Sequence, residues 1–183
     1  MKYGRALELL RTLLAIIASG LVTFAATDAL GQEKQKYAFK TPPGVTTYTQ
    51  QHAIDVGDVP GHQLRVYEVH FKYNDHPPIF DGVKAIEGWT RAITDYIDGT
   101  GHGHGYTVTL LENSDKIFGR YEVMVQTTLG ADGSKMSKFT NVTTLTGGTG
   151  KFKGIRGTLR GTGLTDLRTG PSIEYEGEYW LEK

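Results

Sequence analysis

The sequence predicts an all-β protein, a single eight-stranded antiparallel β-barrel, and three observations carry that expectation. Glycine accounts for 24 of 183 residues, nearly twice the usual share of about 7%. Ten Tyr and seven Phe accompany many Thr and Val, the side chains that suit a pleated surface. From residue 46 onward, short segments of alternating character are separated by Gly, Asn and Asp, with no amphipathic helical period. The 20 Lys+Arg balance 20 Asp+Glu, which argues against a basic nucleic-acid footprint. The absence of Cys excludes a disulfide framework, a thiolate metal site and a Cys nucleophile. The length suits one domain with a full core.

Residues 1–31 read as a secretory signal. Lys2, Arg5 and Arg11 give a positive start, and a 14-residue apolar run, Leu13–Ala26, follows. Ala29-Leu30-Gly31 then places small residues where a signal peptidase cleaves. The run is shorter than the about 20 residues that span a bilayer, so no stable membrane anchor is expected. Cleavage after Gly31 leaves 152 residues with net charge −1, an exported domain, secreted or periplasmic. Residues 32–45, with Pro42-Pro43-Gly44, read as a flexible polar lead-in, and residues 46–183 as the barrel.

Eight strands are expected: 47–54, 63–73, 85–96, 104–112, 117–129, 137–145, 155–167 and 172–182. Asn113-Ser-Asp115 and Ala131-Asp-Gly-Ser134 suit hairpin turns. Eight strands close a barrel with room for one small ligand.

Alternation assigns faces. In the last strand Ile173, Tyr175, Gly177, Tyr179 and Leu181 share one face, while Glu174, Glu176, Glu178 and Glu182 share a wet one. The 63–73 strand has two apolar faces. Leu64, Val66, Glu68 and His70 lie on one; Arg65, Tyr67, Val69, Phe71 and Tyr73 lie on the other. An exposed aromatic face would be a sticky patch, so that face is expected under a covering segment or against another subunit. Leu64, Val66, Glu68 and His70 then point into the barrel, where a carboxylate needs partners or a task. A one-residue slip in register would instead turn Glu68 to water.

Gln63-Leu-Arg-Val-Tyr-Glu-Val-His70 and Asn74-Asp-His-Pro77 resemble the opening strand of plant allene oxide cyclases. Arg120-Tyr-Glu122 and Leu145-Thr-Gly-Gly-Thr-Gly-Lys-Phe-Lys-Gly154 continue the resemblance, and dirigent proteins carry a similar glycine stretch on the same barrel type. The likeness covers most of residues 63–183. It implies a barrel that cyclises an unsaturated fatty-acid epoxide, with Glu68 stabilising positive charge and Pro77 packing beside the substrate. The family's water-holding Asn falls on His70, the Ser before the Pro on His76, and a pocket Cys near Thr107. It also implies a homotrimer, here through the aromatic face.

Other motifs are weaker. Gly147-Gly-Thr-Gly-Lys151 lacks the earlier glycine and the Ser/Thr of a phosphate loop. His102 and His104 share a strand face, half a metal site without a third ligand, and their flanking glycines equally suit a strand entrance. No metal and no cofactor are expected. Asn141-Val-Thr143 is a glycosylation sequon only in a eukaryotic secretory route. Two functions follow. One is a cyclase or isomerase acting on an apolar oxygenated molecule, with Glu68 and His70 catalytic and Leu64, Val66, His76, Pro77, Thr107, Tyr175 and Tyr179 lining the substrate. The other is a non-catalytic barrel that carries a hydrophobic small molecule or steers a coupling reaction.

Overall fold

Two-residue turns organise the chain. Asp81-Gly82 and Asp98-Gly99 each place consecutive residues at positive φ, 45° and 80° in the first and 50° and 80° in the second. This is the type I′ geometry, whose twist matches paired strands and which Asp-Gly adopts readily. In a computed structural model, residues 33–131, 133–166 and 170–182 are described. The expected leader, residues 1–31, lies outside them.

Ten strands follow in order: β1 (Gln35–Thr41), β2 (Thr46–Asp55), β3 (His62–Lys72), β4 (Ile79–Phe80), β5 (Val83–Ile97), β6 (Thr100–Leu111), β7 (Lys116–Leu129), β8 (Lys135–Gly148), β9 (Ile155–Asp166) and β10 (Gly170–Leu181). A 3₁₀ turn, Gly150–Phe152, links β8 to β9. All pairings are antiparallel. The main order is β1-β10-β9-β8-β7-β6-β5-β3-β2, with β4 paired to β5. The all-β antiparallel expectation holds, but the closed eight-stranded barrel does not: the sheet has ten strands, and its edges β1 and β2 are not joined.

The eight expected strands correspond to β2, β3 and β5 to β10. The two additions have separate causes. β4 is a two-residue arm of the Asp81-Gly82 hairpin. β1 lies inside the supposed lead-in, where Tyr37 and Phe39 alternate with Lys36, Ala38 and Lys40. Its inner positions pair along β10 from Gln35↔Tyr179 to Thr41↔Ile173, and Lys40 meets Glu174 at 2.6 Å outside. After Thr41, Pro42 and Pro43 offer no N–H to extend a ladder.

One face of the sheet curls around the core. Val69 and Phe71 of β3 pack with Val123, Phe139 and Ile173 of β7, β8 and β10. A second cluster holds Ala85, Leu111, Phe152 and Ile155, each at 0% exposure. The face assignment of β10 holds: Ile173 and Tyr179 are buried, while Glu174, Glu176, Glu178 and Glu182 are exposed. That of β3 is reversed. Val69 and Phe71 are buried, whereas Leu64 is 43% and Val66 53% exposed. Burying three large side chains, Tyr67, Val69 and Phe71, outweighs burying Leu64 and Val66, at about 25 cal/mol per Å² of apolar area. A strand's period of two makes that choice all-or-none. Most of the aromatic face is therefore spent on the core.

Candidate functional site

The residues chosen from sequence divide between two sides of the sheet. Glu68 and His70 are outside, which corrects their expected place in the lumen. Arg91 Nε donates to Glu68 Oε2 at 2.6 Å, and Thr49 Oγ1 donates to Oε1 at 2.5 Å. The Thr49 hydrogen bond, followed by the Arg91 charge, holds the carboxyl below its ordinary pKa. His70 stacks on Trp89 at 5.0 Å, and its Nε2 lies 3.7 Å from Glu87 Oε2. Glu68 is held by these outer-face neighbours, while His70 Nε2 is buried without a hydrogen-bond partner. His76 is exposed and Pro77 half-buried in the β3–β4 loop; Pro78, buried, is the proline that reaches the interior cavity.

Thr107 and Tyr175 do face the interior, where they line a cavity of ≈ 60 Å³ together with Phe39, Phe71, Tyr73 and Thr143. Tyr179 is buried but pinned. Its hydroxyl accepts from Asp81 N and donates to Gln35 Oε1, each at 2.6 Å.

The sheet's inner face is lined with phenols. Burial pushes the Tyr175 and Tyr96 hydroxyls up to about 12 and raises Tyr73, Tyr67, Tyr37 and Tyr121 as well. Each stays a neutral donor across the working pH range. The Tyr121 and Tyr67 phenols are neighbours on this face, and each acts on the other's pKa after burial. Tyr67 in turn lies 5.7 Å from the Arg65 guanidinium, which also faces Tyr48 at 5.4 Å.

One transverse register row crosses this interior: Arg65, Thr94, Gly103, Val123, Asn141, Gly161 and Tyr175 are successive partners from β3 to β10. Thr94 is 1% and Asn141 3% exposed. The Thr94 hydroxyl, both Asn141 amide atoms and Arg65 Nε are buried without a hydrogen-bond partner. Asn141 stands near enough to the Tyr175 phenol to offset part of its rise, yet no well-formed bond is completed. Such atoms cost about 1–3 kcal/mol each when left unpaired. A Cβ on Gly161 would stand 2.6 Å from the Asn141 amide, so this glycine provides the space in which that side chain sits.

Arg65, Thr94 and Asn141 were not chosen from sequence. The available signal was a polar residue at each inward position of an otherwise aromatic or aliphatic alternation: Arg65 before Tyr67, Val69 and Phe71, and Asn141 between Phe139 and Leu145. The Asn141-Val-Thr143 sequon is buried at its asparagine, which keeps it from a glycan in the folded chain.

Outside, His102 faces Met124 and His104 faces Glu122 across β6 and β7, beside a cleft of ≈ 490 Å³. Among the described residues no three His, Asp or Glu converge on a metal position. The Gly147–Lys151 stretch is structural: Lys151 N donates to Asp115 Oδ2 at 3.1 Å, and Lys116 N donates to Thr149 Oγ1 at 2.8 Å. Among the described residues no helix is long and apolar enough to cross a membrane.

No family model, curated protein or solved structure matches the chain.

Proposed function

We propose that the protein binds a small organic molecule on the curled inner face of its sheet, without chemically transforming it. The observation that carries this reading is Asn141: a fully buried amide, unpaired at both atoms, on a strand whose other inward neighbours are Phe139, Thr143 and Leu145. An amide buried for packing alone would be better replaced by Leu, because its desolvation is not repaid. A ligand that hydrogen-bonds to it supplies the repayment. The phenol-lined cavity beside Tyr175 offers the apolar part of the site.

The cyclase expectation required a carboxylate inside the sheet, and Glu68 stands outside, paired with Arg91. Binding, the part of that expectation independent of Glu68, is what the inner face supports.

Native mass spectrometry of the full chain, before and after Asn141→Leu, tests the reading. The expected result is a small molecule retained by the wild type and lost from the variant, while the ligand-free variant melts higher because an unpaired amide has gone. A variant that melts lower and retains the same molecule would overturn it.

A further inference from the structure

One inward-facing cation has no ion pair among the described residues, and its Nε is buried without a hydrogen-bond partner. Arg65 is the one half-buried charged side chain at an inward-facing strand position among the described residues. Its partners are the rings of Tyr48 and Tyr67, which attract the guanidinium but accept no hydrogen bond from Nε, and Nε has no partner. The sheet's other buried or half-buried charges are treated differently: Glu68 has Arg91, and Asp81 has Lys151 at 2.9 Å. Directly opposite Arg65 stands Thr94, whose buried hydroxyl also lacks a partner. Directly opposed side chains on an antiparallel pair have Cβ atoms about 4.5–5.5 Å apart, so the two groups address one small volume.

The chemistry of this row is weighted towards donors. Arg65 Nε and the Asn141 amide nitrogen can only donate, the Thr94 hydroxyl and the phenols carry protons to donate, and Asn141 Oδ1 is the row's one unpaired atom that can only accept. An interior of donors around one cation suits an anion. One guanidinium neutralises one charge, and a second charge taken into this aromatic interior would be left without a counter-ion.

We infer that the molecule held on the inner face is a small monocarboxylic acid, its carboxylate received by Arg65 and Thr94 and its apolar body lying along the Tyr67–Tyr121 pair toward Tyr175. This rests on the ligand-binding reading above and adds the ligand's charge and functional group. Arg65 is then the specificity-determining residue: it separates acids from neutral molecules of the same shape, while Asn141 and the phenols hold either.

Isothermal titration of the full chain with benzoate and hexanoate, each beside its neutral amide, and with phenyl phosphate tests this. Both acids are expected to bind at least about tenfold more tightly than their amides, the cost of leaving a charged donor unpaired. Arg65→Gln should bring acid and amide within about twofold. Arg65→Lys, which keeps the charge and guards against a folding defect in the Gln variant, should retain part of the preference. Equal binding of acid and amide, or an acid preference surviving in Arg65→Gln, overturns the inference and leaves the ligand-binding reading standing. Tighter binding of phenyl phosphate than of benzoate overturns the monocarboxylate assignment. If no probe binds and none shifts the Asn141 side-chain amide resonances, the binding reading itself fails with it.

Discussion

Arg91 Nε and Glu68 Oε2 meet at 2.6 Å on the outer face of the sheet, with Thr49 of the edge strand completing the carboxylate's partners. Glu68 is held by its neighbours and contributes nothing to the interior. Glu68→Gln is accordingly expected to leave ligand retention unchanged and to cost about 1 kcal/mol or less, the range of exposed ion pairs, as read by chemical denaturation. The folded pKa is depressed, so the stabilisation is present above the ordinary carboxylate range and is lost as pH falls through the lower folded value. The stability difference between wild type and variant should therefore shrink on acidification. A large loss of ligand in the variant would return Glu68 to the site.

His62 titrates in the opposite sense. Its Nε2 lies 2.7 Å from Asp95 Oδ1 and its Nδ1 2.6 Å from Asp58 Oδ1. Hydrogen bonds to Asp95, then to Asp58, raise its pKa above 6.5. The stabilisation is complete below that unfolded value and is lost as pH rises through the raised folded one. NMR titration of the ring protons should show a midpoint above 6.5, and Asp95→Asn should move it downward. An unmoved midpoint would mean that Asp95 is not its partner in solution.

Tyr179→Phe tests how β1 is held. The change leaves Gln35 Oε1 and Asp81 N without the hydroxyl that joins them, so a loss of about 1–2 kcal/mol is expected. Amide hydrogen exchange should quicken first in β1 and at the Asp81-Gly82 turn. Uniform acceleration across the sheet would show that the contact is not local to that edge.

Phe152→Ala removes a ring at 0% exposure from the turn between β8 and β9. A loss of about 3–5 kcal/mol is expected, readable as a fall in the denaturation midpoint. A loss below about 1 kcal/mol would show that the turn can collapse onto the vacated space.

The features legible in the sequence are those set by local chemistry. The Asn113–Asp115 turn and the alternation of β10, with its Glu row outside, follow from side-chain preference and period, so both were readable. The Asp81-Gly82 and Asp98-Gly99 turns are of the same local kind, since Asp-Gly is a strong hairpin signal. β1 was harder because its Gln and Lys content resembles a solvated tail, and only β10 provides its partner.

By itself the sequence determined the strand-rich composition, most strand positions and the fact that β3 carries two apolar faces. It could not decide which face of β3 turns inward, because alternation specifies two sides without labelling them. The tertiary structure decided that by packing Val69 and Phe71 against Val123, Phe139 and Ile173, residues up to about a hundred positions away. The same choice carried Glu68 and His70 outside and brought Arg65 into one register row with Thr94 and Asn141. That row crosses seven strands, and no local rule of sequence connects its members.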